Sequence, residues 1–521
     1  MIQFSIHKFL YPLKGVTAGV AFLLALSGCT SETKLPDTFT QTKDSVMLFP
    51  DYTDIVIPPN IAPLNFIVCD ATAREFVADI KGDHGHLLAA AREDGKIEMD
   101  STQWRQLLTG HRGKTLQVDL YGLREKGWVK YRSHFMDVAE EPIDPFLSYR
   151  LIEPGYEYYR QLGLYQRNLT NFDEKAIYEN NRTYDLDNNH CVNCHNYQAY
   201  DASRMLFHVR GNHGGTILAR DGKAEKVQIK HDSILTAGVY PSWHPTLPLI
   251  VFSTNKTGQV FHMKYPEKIE VLDEASDLLL YDADKNTVET ILRGEEELET
   301  FPCWAPEGDR LYYCTARRPD MTNVPDSLQT PHILERYDSL QYNILCRSFD
   351  AKTHRFGVAD TVVNCSAKGK SASVPRISPD GRYLLYTQGD YGQFHIWHRS
   401  ADLWVKDLKT DSAPYPLKAT NSPEADSYHT WSSNGRWIVF ASRRGDKNYS
   451  RAYIAYFDKD GRGHKAFLLP QQDPELNIVL LKSYNVPELT LNAVVTKKED
   501  LQRVIYDSEG KPIRFLPQGE P

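Results

Sequence analysis

The chain has no excess of positive charge. Its 60 Lys and Arg stand against 68 Asp and Glu, for a net charge of −8 and a pI near 6.1. That balance argues against nucleic acid as a partner. After residue 26 no stretch is apolar enough for a second helical membrane segment. There is no Gly-x-Ser-x-Gly, no His-Glu-x-x-His and no phosphate-binding glycine loop, so serine-hydrolase, zincin and P-loop chemistry find no support. Cysteine is sparse, with 8 in 521 residues, and its use is therefore informative.

Two of the eight lie in Cys191-Val192-Asn193-Cys194-His195. Cys-x-x-Cys-His is the attachment pattern of a c-type haem. Each thiol adds to one haem vinyl group, and the adjacent imidazole binds iron as the proximal ligand. The expectation is one covalent haem c per chain, held by Cys191 and Cys194, with His195 on iron. Two other readings compete. A disulfide or redox dithiol at Cys191 and Cys194 usually sits at a helix start in a thioredoxin-like unit, which is missing here. A zinc site from His190, Cys191, Cys194 and His195 would crowd its ligands, whereas zinc generally recruits from two separated segments.

Haem attachment to thiols takes place outside the cytoplasm, and an export signal is present. Lys8 and Lys14 precede an apolar run from Gly15 to Leu26 that ends in Leu26-Ser27-Gly28-Cys29. This segment resembles a bacterial lipobox. The resemblance implies a signal peptide over 1–28, lipidation of Cys29 and a membrane anchor. Within that resemblance, Thr30 after the cysteine implies the outer membrane; the periplasmic face is the expectation, with the cell surface left open. Lipid at Cys29 and two thiols on haem leave Cys69, Cys303, Cys314, Cys346 and Cys365, an odd number. Cys303 and Cys314 flank one hairpin and either pair or remain two half-buried thiols.

With 30 Tyr, 29 Pro and 31 Gly, the composition favours short strands and turns over long helices. Residues 29–54 read as a flexible tether. Residues 55–141 carry strand-like alternation, as in Phe76-Val77-Ala78-Asp79-Ile80, and read as an immunoglobulin-like β-sandwich. Ser101 is expected to cap a short helix through Trp104 and Leu107. Pro142 and Pro145 mark a boundary.

Residues 142–521 repeat a hairpin. Ser242-Trp243-His244-Pro245, Cys303-Trp304-Ala305-Pro306, Arg376-Ile377-Ser378-Pro379-Asp380-Gly381 and Thr430-Trp431-Ser432-Ser433-Asn434-Gly435 each precede an apolar strand. A tight turn between two apolar runs, with the second strand apolar on both faces, fits sheets packed against sheets. Repeat spacing exceeds the usual blade, so loops are inserted, most clearly at Arg317–Arg336. Leu162 to Tyr178 is expected to supply part of a further blade, closed by Ile478–Leu481 and Leu489–Val495. These segments resemble TolB-like β-propellers, most strongly at Ser378-Pro379-Asp380-Gly381-Arg382. The layout is similar to lipoproteins of Bacteroidetes type with one haem motif ahead of such repeats. The resemblance implies an all-β chain with about six blades and a cell-envelope location; it implies no particular reaction.

Aligning Phe207 with Phe252 places His195 in the column of Tyr240, Phe301, Val374 and Tyr428, at one mouth of the propeller channel. His429, beside that column, is the first choice for the distal iron ligand, followed by Met205, His213 and His244. Electron transfer or redox sensing with an envelope partner is the expected role. Two alternatives remain. One is a non-redox propeller scaffold for a protein or glycan partner, with Cys191 and Cys194 as a disulfide. The other is a haem enzyme with an open sixth site for a small oxidant.

Overall fold

The computed structural model describes residues 33–153, 162–180, 190–265 and 267–517. Cys29 and the expected signal segment lie outside them. Among the described residues no helix is long and apolar enough to cross a membrane. The chain is all-β and propeller-like. Six consecutive sheets of four or five strands follow an N-terminal unit.

Five of the six sheets run four strands as antiparallel meanders straight along the chain, and two of these add a fifth, parallel strand, Lys511–Pro512 or Arg514–Leu516. The five meanders start from His190–Gln198, Val239–Trp243, Glu297–Trp304, Ser371–Ile377 and Asp426–Trp431. The remaining sheet is assembled from both ends: Phe146–Ile152, Leu162–Asn168 and Glu174–Glu179 are completed by Ser483–Thr490. Each starting strand packs against the next, and Ser483–Thr490 lies between Asp426–Trp431 and His190–Gln198. The ring is thus closed by backbone hydrogen bonds between residues more than 300 positions apart. The closing strand is one element between the two expected segments; Ile478, Val479 and Leu481 are exposed instead.

In the four repeat hairpins the second strand is the apolar one. Leu249–Phe261 starts with seven buried residues, and Trp437–Ser442 is buried throughout. Sandwiched between neighbouring sheets, such a strand has no solvent face, which is why its sequence runs apolar without alternation. The insert at 317–336 is not simply loop. It holds a helix, Asp326–Leu334, whose Ile333 is buried and whose Thr330 hydroxyl donates to Glu274 Oε2 at 2.9 Å.

The N-terminal unit has a seven-stranded and a three-stranded sheet sharing one core. The tether is shorter than expected. Thr40–Gln41 pairs with Gly127–Lys130, and Met47–Phe49 pairs with Phe66–Cys69. The polar composition around it hid the run Val46-Met47-Leu48-Phe49, whose Leu48 is in the core. The helix Ser101–Gly110 forms, but Asp100 caps it: its carboxylate accepts from the Thr102 and Gln103 amides at 3.0 and 2.8 Å.

This unit is docked on the ring. Its core is continuous with Trp437, Val439, Ile454, Tyr149 and Leu489 of two ring sheets. Trp437 is fully buried and its indole donates to Glu141 O at 3.0 Å. Tyr52 OH donates to Leu468 O at 3.2 Å, and Ser433 donates through its amide and hydroxyl to Asp144. Trp437→Ala is expected to cost about 3–5 kcal/mol, because it empties a core shared by two units. Urea unfolding checks this, and a loss under 1 kcal/mol would mean that the contact is peripheral.

Candidate functional site

The site is built on a backbone irregularity that recurs around the ring. Each innermost strand slips register against its neighbour partway along, and His190–Gln198 slips a second time between Tyr197 and Gln198. At the slip common to all six, one non-glycine residue has positive φ: Cys194 (53°), Tyr240 (46°), Phe301 (49°), Val374 (52°), Tyr428 (50°) and Val486 (48°). A β-bulge of this kind sets two residues against one and re-aims a side chain. Here all six line one central cavity of about 1140 Å³. Left-handed backbone costs a non-glycine residue roughly 1–2 kcal/mol, so closure of the ring must impose it. The next position is Pro241, Pro302, Pro375 or Pro487 in four sheets. A bulged residue needs no ladder N–H, which is why proline is admitted. In the other two sheets that position is His195 and His429.

Cys194, not His195, therefore stands in the column of Tyr240, Phe301, Val374 and Tyr428. The one-residue correction has a local cause. Ten residues separate Asn196 from its partner Leu206, whereas nine separate Ser242 from Val251. The hairpin after the motif carries an extra residue, and an alignment carried across it slips by one.

The bulge also explains how a Cys-x-x-Cys pair works on a strand. Strand period two would turn residues 191 and 194 to opposite faces. The extra residue cancels this, and Cys191, Cys194 and His195 all line the cavity. Cys191 is buried, and burial pushes its thiol pKa up. His195 is buried too. Burial first, then the Arg150 charge, hold its pKa down to about 3, so its ring is neutral at pH 7. Its Nε2 is buried without a hydrogen-bond partner. A neutral imidazole with Nε2 free is able to bind metal. The residues present thus fit a haem.

The cavity is cationic. Arg150, Arg210, Lys230, Arg376 and Arg443 line it against one carboxylate, Glu153, which is paired with Lys482 at 2.7 Å. Arg150 Nη1 donates to Val192 O at 3.1 Å and Nη2 to Asn485 Oδ1 at 2.9 Å, while its buried Nε has no partner. Below the bulges, Asn196, Ser242, Cys303, Arg376, Thr430 and Glu488 line a second, smaller pocket of about 320 Å³. Arg376 belongs to both spaces.

The expected distal ligands are not brought to the cavity. His429 is fully buried with Nε2 3.2 Å from Leu385 O and Nδ1 3.4 Å from Thr387 Oγ1. His244 is held by Gly308 O at 3.0 Å and by the Thr246 and Leu247 amides. Met205 is core, and His213 packs on Tyr506. His190 bonds Tyr178 OH at 2.8 Å. Among the described residues, His190, Cys191, Cys194 and His195 do not converge as a metal-holding group. Cys303 and Cys314 are free thiols, because Cys314 stands opposite Thr300 and Cys303 opposite Tyr312. Sequence reasoning missed Arg150 and His208, which also line the cavity. No motif marks them; ring closure and strand pairing bring them in.

Glu488 yields a pH prediction. Its carboxylate accepts from Asn196 Nδ2 at 3.2 Å and the Tyr197 amide at 3.3 Å. Burial outweighs these bonds and Arg376, and raises its pKa from 4.5 to about 7. The folded state therefore holds this proton more tightly than the unfolded chain. Its contribution to stability is present below pH 4.5 and is lost as pH rises to about 7. Glu488→Gln is expected to flatten the stability profile across that window, read by denaturant midpoints; an unchanged slope would contradict the assignment.

No protein-family model and no curated protein matches the chain. Solved structures with a similar course include an Agrobacterium tumefaciens protein assigned as TolB, at 14% identity over 65% of this chain and 96% of that one, with a TM-score of 0.35. The β-propeller domain of Cps50 (Swd1) from Myceliophteria thermophila is 10% identical over 52% of this chain and 85% of that one, with a TM-score of 0.26. Prolyl oligopeptidase B from Galerina marginata is 8% identical over 68% of this chain, with a TM-score of 0.34; the chain spans 42% of that enzyme. The chain is similar to these proteins; its propeller-like architecture rests on its own strand order.

Proposed function

We propose that the chain is a cell-envelope lipoprotein, anchored through Cys29 at the outer membrane and facing the periplasm. In this reading a six-bladed, TolB-like propeller carries one covalent haem c and acts in electron transfer or redox sensing with an envelope partner. Each ring sheet is one blade, and the two-sheet N-terminal unit is an immunoglobulin-like sandwich. Residues 1–28 would serve as the signal for export, which thioether formation requires.

One observation carries the reading: a single bulge turns Cys191 and Cys194 into the same cavity as an imidazole whose Nε2 is free. Cys191 and Cys194 would hold the porphyrin, His195 the iron, and the cationic lining would complement the two porphyrin carboxylates. Bound there, haem supplies a one-electron couple. Tyr240, Phe301, Val374 and Tyr428 line the same cavity and would limit water around the group, which favours its less charged, reduced state. Burial keeps the His195 ring neutral.

The test is the mass of mature protein made with c-type maturation machinery. A haem adduct is expected. Cys191→Ser or Cys194→Ser should each leave one thioether and a shifted pyridine haemochrome band, and the double variant should lose covalent haem. A wild-type protein without porphyrin, its two thiols alkylated or joined to each other, would replace this reading with a non-redox scaffold.

A further inference from the structure

We propose that the second, smaller pocket binds a small zwitterion, an apolar amino acid or dipeptide, whose carboxylate meets Arg376 and whose ammonium meets Glu488. The inference stands apart from the haem reading of 191–195.

The pocket comes from the same backbone device as the large cavity. Two residues past each bulge, the six innermost strands place Asn196, Ser242, Cys303, Arg376, Thr430 and Glu488 around the axis, one from each sheet. All six line one space of about 320 Å³. Hydrogen bonds from sheet to sheet fix much of this belt. The Trp243 amide donates to Asn196 Oδ1 and the Trp304 amide to Ser242 Oγ, both at 3.1 Å. Asn196 Nδ2 donates to Glu488 Oε1 at 3.2 Å, and Thr430 Oγ1 donates to Pro487 O at 2.9 Å.

Two opposite charges remain unmatched. Among the described residues Arg376 forms no ion pair; its Nη1 donates to the adjacent Pro375 O at 3.1 Å, while Nε and Nη2 find no oxygen. Glu488 Oε1 takes both of that carboxylate's hydrogen bonds, and Oε2 accepts none. The strands bearing Arg376 and Glu488 flank the one bearing Thr430. Arg376 is near enough to pull the Glu488 pKa down against burial, yet the two do not pair. A guanidinium and a carboxylate held apart in one pocket suit a molecule that carries both complementary charges. A simple anion would leave Glu488 unmatched, and a metal ion would meet Arg376; no metal-holding group is found among the described residues.

The rest of the lining sets the size and polarity of the ligand. Trp243, Trp304, Trp431, Pro245, Pro306 and Pro379 make the walls apolar, and the volume is at the small end of ligand pockets, roughly 300 Å³. The indoles also favour an ammonium beside them. The mouth lies among the turns that follow the innermost strands, where Ala199 is exposed, at the end away from Cys191. Four other cations line the haem cavity, so two porphyrin carboxylates do not require Arg376.

The experiment is calorimetric titration of the mature full chain at pH 8, with L-leucine, L-phenylalanine and L-leucyl-L-leucine as probes. At least one should bind, and the tighter class separates free amino acid from dipeptide. Blocking that probe's amine by acetylation, or its carboxylate as the amide, should each weaken binding about tenfold or more. Glu488→Gln should abolish the preference for the free amine and keep that for the free carboxylate. Arg376→Gln should do the reverse, a split that loss of folding cannot produce. No binding by any of the three probes, or a blocked probe that binds wild type as well as the free one, would overturn the proposal. The haem adduct is read separately by mass, and its absence would leave this site standing.

Discussion

Six left-handed residues, one on each innermost strand, are the constraint from which the rest of the ring follows. A bulge at Cys194, Tyr240, Phe301, Val374, Tyr428 or Val486 bends the strand where it passes the axis and turns that side chain inward. None of these is glycine, so the conformation is imposed by packing rather than chosen locally. Pro241, Pro302, Pro375 and Pro487 exploit the N–H that the bulge leaves unpaired. The same device makes a cavity and decides which chemistry faces it: phenol, phenyl and isopropyl at five positions, and a thiol at the sixth.

Closure makes the bulges tenable. Ser483–Thr490 completes the sheet begun by Phe146–Ile152 and brings Val486 and Asn485 to His195 and Arg150. The cavity residues Arg150 and His195 are thus met by a segment about 300 positions away, and the cavity exists only in the closed ring. The N-terminal unit adds to this closure, because it seals against Trp437 and Tyr149 and so clasps the sheet formed by both chain ends and its neighbour.

Much of this was legible in the residues. The four Trp- or Ile-bearing hairpins mark sheets correctly, because a strand buried on both faces runs apolar, and in two of them a Pro-Asp-Gly or Asn-Gly turn precedes it. Less legible was anything set by register. His195 was placed one column off because a single extra residue in the Asn196–Leu206 hairpin carries no sequence mark. His429 looked suitable by its neighbourhood but is fastened between sheets, at Leu385 and Thr387. His208 lies in an ordinary strand, and only pairing with Asn193 reveals its place. The run at 46–49 was lost in polar surroundings, although the core takes Leu48.

The central claim is that two thiols on the inner edge of one sheet carry iron porphyrin within the ring. Anomalous diffraction at the iron absorption edge, on crystals of the mature chain, tests it most directly. One iron peak is predicted inside the central channel, between the strand His190–Gln198 and the bulge residues Tyr240 and Tyr428. No iron peak, or one at the outer edge of the ring, would contradict the account.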